Sequence, residues 1–256
     1  MPDRSSVDLS AQTTVRAVDR ALDILLCFAK AEGGLSLSDI SREVGLHKST
    51  VHRLLTSLQK KGFVRRHADS DKYLLGWSIL ELLSNLYQSN ELASVVLPEM
   101  THLRDATGET VSLYIRSGKE RLRIQSVESN APVRNVATIG KTYPLYIGAS
   151  GKVLLAYASS EFVEEVLADS TLPPDFDREN LRSQLEQVRN DGYAVSIQER
   201  DDGASAIAAP IFGRSHEFVA ALSVSGPVTR FSRDIISGYV ETVKTSANLI
   251  SKLLSH

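Results

Sequence analysis

Between His47 and Arg66 the chain carries six basic side chains, Lys48, Arg53, Lys60, Lys61, Arg65 and Arg66, and no acidic one. Within the same stretch Val51, Leu54, Leu55 and Leu58 recur at three- and four-residue spacing. A helix built from this segment has one apolar side that must be covered and one polar side that stays in water. Projected at about 100° per residue, Ser49, Arg53, Thr56 and Lys60 cluster opposite the Val51/Leu54/Leu58 stripe, with His52 and Ser57 flanking them. A solvated face normally mixes charges of both signs, whereas this one is uniformly positive and rich in short hydroxyls.

The flanking sequence predicts a compact three-helix unit around this helix. Val15, Val18, Leu22, Leu25, Leu26 and Ala29 form an amphipathic run from Thr14 to Lys30, closed by Gly33-Gly34. Cys27, within that run, is expected to be packed or partly covered. Ser36 stands three residues before Asp39 in capping-box spacing, Leu37, Ile40 and Val44 give a short second helix, and Gly45 stops it. After Gly62, two β-rich runs, 63–67 and 72–75, flank the polar turn Ala68-Asp69-Ser70-Asp71. Helix, four-residue turn, basic helix and hairpin make a winged helix-turn-helix, whose second helix can enter a DNA major groove. Lys48, Arg65, Arg66 and Lys72 are then expected at phosphates, and Ser49, Thr50, His52 and Arg53 at base edges, with Thr56 on the same face. Pattern and charge alone leave a protein-docking module as the alternative.

Composition separates this region from the rest. Residues 1–76 hold 12 Lys/Arg against 9 Asp/Glu, a net of +3, which leaves 17 against 22, a net of −5, for residues 77–256. Two functional parts are implied. A chain of 256 residues with 42% hydrophobic side chains and a net charge of −2 has neither a disordered composition nor a basic coat throughout. A single Cys allows no internal disulfide, and His47, His52, His67, His102, His216 and His256 are too dispersed for a metal site. No apolar run reaches the roughly 18 residues of a membrane span, and the start MPDRSSVDLSAQ lacks an apolar signal core. The expected location is the cytoplasm, with no membrane partner.

Beyond residue 76 the patterns predict an α+β domain. Trp77, Ile79, Leu80, Leu82, Leu83, Leu86 and Tyr87 are too apolar for a free linker. They need burial against their own domain or a second subunit, and a short connector has little core of its own. A helix follows at 91–106, with Pro98 expected to start or kink it. Strand patterns at 109–116, 121–127, 193–198, 204–211 and 217–225 alternate with helical ones at 151–158, 161–169, 178–190 and 233–254. An antiparallel sheet carrying helices results. Gly148-Ala149-Ser150-Gly151, before a helix, reads either as an anion-binding helix start or as a tight packing turn. It is not a phosphate-binding P-loop, because Tyr146 replaces the first Gly and Val153 the Ser/Thr after Lys152, and it lacks the G-x-S-x-G of a nucleophile elbow. Glu199, Asp201 and Asp202 form an acidic loop, read as a solvated turn. No catalytic set of nucleophile, base and orienting partner is recognisable, so no catalytic residue, metal or cofactor is expected.

LSLSDISREVGLHKSTVHRLLTSLQKKGFV with its hairpin, then IGASGKVLLAY at 147–157, DGYAVSIQERDDGASAIAAPIF at 191–212 and VAALSVSGPVTRFS at 219–232, resemble blocks of the isocitrate lyase regulator (IclR) family of bacterial transcription factors, in the same order. The resemblance runs from about residue 14 to 254. It implies a winged helix-turn-helix DNA-binding domain at 14–76, a linker helix at 77–90 and an effector-binding domain at 91–256 with a GAF-like or profilin-like antiparallel sheet. It also implies homodimers or homotetramers on a palindromic double-stranded operator, and a small organic acid as effector. Matched to the family's pocket positions are Gly148, Ala149, Ser196, Ala206, Ser223 and Ser225, beside Ser150 of the same turn. Ser223 and Ser225 alternate on one strand and so share a face. Ser196 and Ala206 stand where the glyoxylate- and pyruvate-responsive regulator carries an acid and a thiol, a departure that argues against that effector and leaves room for a larger acid, aromatic acids included. Two alternatives from other classes are a small-molecule enzyme and a sensory interaction module, each with the basic helix serving only to dock it.

Overall fold

The computed structural model describes residues 14–31, 33–89 and 91–255. The first thirteen residues, Glu32, Asn90 and His256 lie outside them, as do the side chains of Leu86 and Tyr87. The chain divides into two compact units between Ser89 and Asn90.

In the first unit α1 (Arg16–Cys27), α2 (Leu37–Glu43) and α3 (Lys48–Lys60) precede a small antiparallel sheet, and α4 (Ser78–Ser89) follows it. The sheet is ordered β1 (Leu35–Ser36), β3 (Lys72–Leu75), β2 (Val64–Arg66). The α2–α3 corner is built by local chemistry. Ser36 Oγ accepts the Asp39 N–H while the Asp39 carboxylate accepts the Ser36 N–H, each at 3.2 Å, so the box expected from spacing closes. Gly45 takes φ +64°, and Ser41 Oγ donates to the Leu46 carbonyl at 2.5 Å across the turn. Ile24, Phe28, Ile40, Val51, Leu55, Val64 and Tyr73 form the core. Ser36→Ala removes the side-chain half of the box and is expected to lower the stability of this unit by about 1 kcal/mol, read as an earlier urea midpoint with an unchanged slope.

One expectation is corrected here. The apolar run of α1 is amphipathic, but Val15, Val18, Leu22 and Leu26 point to solvent, each more than half exposed, and the buried residues are Ile24 and Phe28. Ile24 and, one turn on and just past the helix end, Phe28, rather than the longer stripe, share the core with Val51 and Leu55 of α3.

The second unit is a six-stranded antiparallel sheet ordered β6 (Thr142–Pro144), β5 (Glu120–Val127), β4 (Thr110–Ser117), β9 (Phe218–Pro227), β8 (Ala204–Phe212), β7 (Ala194–Ile197). Alternation assigns its faces. Val111, Leu113, Ile207, Ala209, Ile211, Ala220, Leu222 and Val224 pack with α5 (Glu91–Thr107) and α9 (Arg233–Leu254). Tyr114, Ala208 and Ala221 pack with α6 (Ala149–Ala156), α7 (Ser160–Leu167) and α8 (Arg178–Asp191). Pro98 lies inside α5 and does not begin it. The fold is thus α+β, a helix-turn-helix unit followed by a curled antiparallel sheet with helices. Among the described residues no helix is long and apolar enough to cross a membrane.

Candidate DNA interface and ligand cavity

The helix α3 turns Val51 and Leu55 fully inward, which sends the opposite side out. Lys48, Ser49, His52, Arg53 and Thr56 are exposed and Thr50 is half-buried. Thr56 Oγ1 donates to the His52 carbonyl at 2.8 Å and Ser57 Oγ to that of Arg53 at 3.2 Å, leaving both oxygens able to accept. In the hairpin, Arg65, Arg66 and Lys72 are exposed. Arg65 lies over the Trp77 ring, 5.6 Å from its centroid. Arg66 Nη2 pairs with Asp71 Oδ1 at 2.5 Å. That exposed pair places one negative charge beside a cation expected to meet phosphate. Asp71→Asn should therefore tighten DNA binding up to about fivefold at low salt and little at high salt, checked by fluorescence anisotropy across a salt series.

The turn that reads as an anion-binding helix start or as a packing turn lies against the α6 face of the large sheet. There β7, β8 and β9 bring small side chains into register: Ser196 stands opposite Ala206, Ala206 opposite Ser225, and Ala208 opposite Ser223. Such short side chains do not fill the space under α6. A cavity of about 40 Å³ results, lined by all seven expected residues, Gly148, Ala149, Ser150, Ser196, Ala206, Ser223 and Ser225. Tyr114, Arg121, Asn135, Arg200, Asp201 and Ser205 complete much of its wall. Asn135 Nδ2 donates to Ser225 Oγ at 3.0 Å.

The acidic loop is not a merely solvated turn. Glu199 Oε2 accepts the Gly148 N–H at 3.0 Å, and its other oxygen pairs with the buried Lys152 Nζ at 2.5 Å. Lys152 also donates to the Val195 carbonyl at 2.9 Å. The start of α6 thus holds an anion already, supplied by the chain itself, as the positive end of a helix favours. Arg200 is paired with Asp201 through Nε at 2.7 Å. Arg121 and Arg123 belong to no motif in the sequence, and the signal for them is that Leu122 and Ile124 alternate with them on β5. Arg123 donates to the Tyr114 hydroxyl through Nε at 2.9 Å. Arg121 is 2% exposed, and burial pulls its pKa down to about 10, so it remains a cation at neutral pH.

A basic, outward-facing helix with a wing, on a chain whose second unit carries a cavity lined by short side chains, is the architecture of a winged-helix DNA-binding protein. Family models agree: residues 17–68 match the IclR helix-turn-helix domain and residues 85–252 the bacterial transcriptional regulator IclR C-terminal domain. The chain belongs to the IclR family of DNA-binding transcriptional regulators. It is 30% identical over 247 residues to the HTH-type transcriptional regulator XynR of Escherichia coli K12, covering 94% of this chain and 98% of that one. An IclR transcriptional regulator of Silicibacter sp. TM1040 has the same fold, with a TM-score of 0.83 and 27% identity over 93% of this chain and 96% of that one. An IclR homologue of Microbacterium hydrocarbonoxydans, solved with 4-hydroxybenzoate, has a TM-score of 0.80 at 28% identity, covering 93% and 98%.

Proposed function

We infer that the protein is a cytoplasmic, ligand-responsive regulator that binds a palindromic operator as a homodimer or a tetramer of two dimers, and that a small organic acid in the cavity modulates that binding. The supporting observation is the convergence of Gly148, Ala149, Ser150, Ser196, Ala206, Ser223 and Ser225 on one polar cavity. Residues 14–76 serve as the DNA head, 77–90 as the linker helix and 91–256 as the effector domain. Lys48, Arg65, Arg66 and Lys72 hold phosphates. Ser49, Thr50, His52, Arg53 and Thr56 face base edges. Self-association is supported by the exposed apolar side chains of the first unit, Val18, Leu22 and Leu26 on α1 and Trp77, Leu80, Leu82 and Leu83 at α4. The relatives are regulators rather than enzymes, which favours this reading over a catalytic one.

A volume of about 40 Å³ has room for a few waters, so an acid enters only as lining side chains move, and a ring-bearing acid such as the one held by the Microbacterium relative requires the largest movement. Any such acid shifts operator affinity only by its preference for one arrangement of the protein over another. Gel shifts with a palindromic fragment from beside the gene, with and without two-carbon, three-carbon and aromatic acids, test the proposal. The expected result is a sequence-preferring shift whose midpoint one acid class moves. A shift that no acid alters, or none at all, contradicts it.

A further inference from the structure

Among the described residues, the cavity wall holds a buried cation with no counter-anion. Arg121 Nη1 donates to the carbonyl oxygens of Pro144 and Ile147, the latter at 2.5 Å, while its Nε–H is buried without an acceptor. The Tyr114 and Tyr143 rings lie 5.8 and 5.3 Å from the guanidinium carbon. The carboxylates nearby are engaged elsewhere, Asp201 with Arg200 and Glu199 with Lys152 and the Gly148 amide. Removing an unpaired charge from water is costly, and carbonyls and ring faces offset only part of it.

The unspent part of this guanidinium has a shape. Nη1 is taken, which leaves the side formed by Nε and Nη2, two parallel donors that match the two oxygens of a carboxylate. Its Nη2 end stands beside Gly148, whose Cβ would fall 3.1 Å away, so the absence of a side chain leaves room there, whereas Nε is sealed by its neighbours and a carboxylate reaches it only as they move aside. Gly148 and Arg121 both line the cavity, as do the Ser223 and Ser225 hydroxyls.

The geometry points to Arg121 as the residue that anchors the ligand's carboxylate, through its Nε/Nη2 edge, with the remainder of the acid lying toward Ser223 and Ser225. This rests on the cavity being the effector site and adds the residue that recognises the charge. The anion is thereby seated on β5 and not at the start of α6, where Glu199 already lies.

Calorimetry on the full chain tests it with pyruvate, glycerate and 4-hydroxybenzoate, each beside its neutral amide. At least one acid is expected to bind, its amide about 30-fold more weakly, and Arg121→Lys to weaken the acid by a similar factor. Because Arg121→Lys also loses the carbonyl contacts of Nη1, the unaltered protein supplies a second readout: the Arg121 Nε–H resonance should move on adding the acid and stay in place with the amide. Equal affinities for acid and amide, or an unmoved resonance while the acid binds, overturn the assignment. If Ser223→Val then abolishes the acid's binding, the cavity stands as the site and only the anchor falls. If binding survives both substitutions, the cavity reading falls too, and if none of the three acids binds, both are overturned.

Discussion

Arg53→Ala is expected to weaken binding to the preferred operator by about 10- to 100-fold per half-site and to flatten the discrimination between that operator and unrelated DNA. Arg53 projects from the middle of α3, opposite Val51 and Leu55, whose complete burial fixes the helix's rotation about its own axis. No ion pair among the described residues engages it, so its five donors are available to a guanine edge. A bidentate contact of that kind contributes about 1–3 kcal/mol of discrimination, and a symmetric dimer makes it twice. Arg66→Ala serves as the contrast. Its guanidinium, already paired with Asp71, lies on the wing, so its loss should weaken all sequences about equally and lower the salt slope by roughly 1. Identical profiles for the two variants would remove the division between base-reading and phosphate-holding residues. Quantitative gel shifts on matched and scrambled duplexes measure both.

The second large effect is expected at Gly151. Every residue of α6 is buried, and at Gly151 the helix leaves no room for a side chain. A Cβ there would lie 2.5 Å from Arg121 Nη1 and closer still to the Leu145 carbonyl oxygen. The carbonyl belongs to backbone and cannot swing aside, and Arg121 is held by Pro144 and Ile147. Gly151→Ala should therefore lower stability by about 3 kcal/mol, at the upper end of overpacking penalties. For a unit of this size that lowers the melting temperature by roughly 6–12 °C, measured on the full chain by scanning calorimetry. The same variant should lose acid binding at the cavity, because relief of the clash displaces Arg121. An unchanged melting profile would mean that α6 is not pressed against β5 as the glycine implies.

Much of this arrangement is legible in the sequence because it is local. The box at Ser36 and Asp39, the stop at Gly45 and the two-sided pattern of α3 each depend on neighbours within a few residues. Period-2 alternation likewise puts Ser223 and Ser225 on one face. What escaped is set at longer range or by shorter elements. Two-residue β1 and three-residue β6 are too brief for alternation to be read. The stripe of α1 announces an amphipathic helix, yet periodicity carries no statement of what covers it, and the structure turns Leu22 and Leu26 outward. Glu199 joins Lys152 across 47 positions, a pairing that no local pattern reports. Arg121 and Arg123 were within reach: Leu122 and Ile124 alternate with them, so one apolar face of β5 obliges the arginines to share the opposite one. A basic residue in a strand reads by habit as solvated, and here the strand lies under α6 and its loop.

The most direct test of the central claim, that the exposed side of α3 reads base pairs, is selection of bound duplexes from a random-sequence library with the unaltered full chain and with Arg53→Ala. Enrichment of an inverted repeat with half-sites about 10 to 10.5 base pairs apart or a multiple of this, with the preference at one position of each half lost in the variant, is the predicted result. No enriched sequence, or the same sequence enriched equally by both proteins, would contradict it.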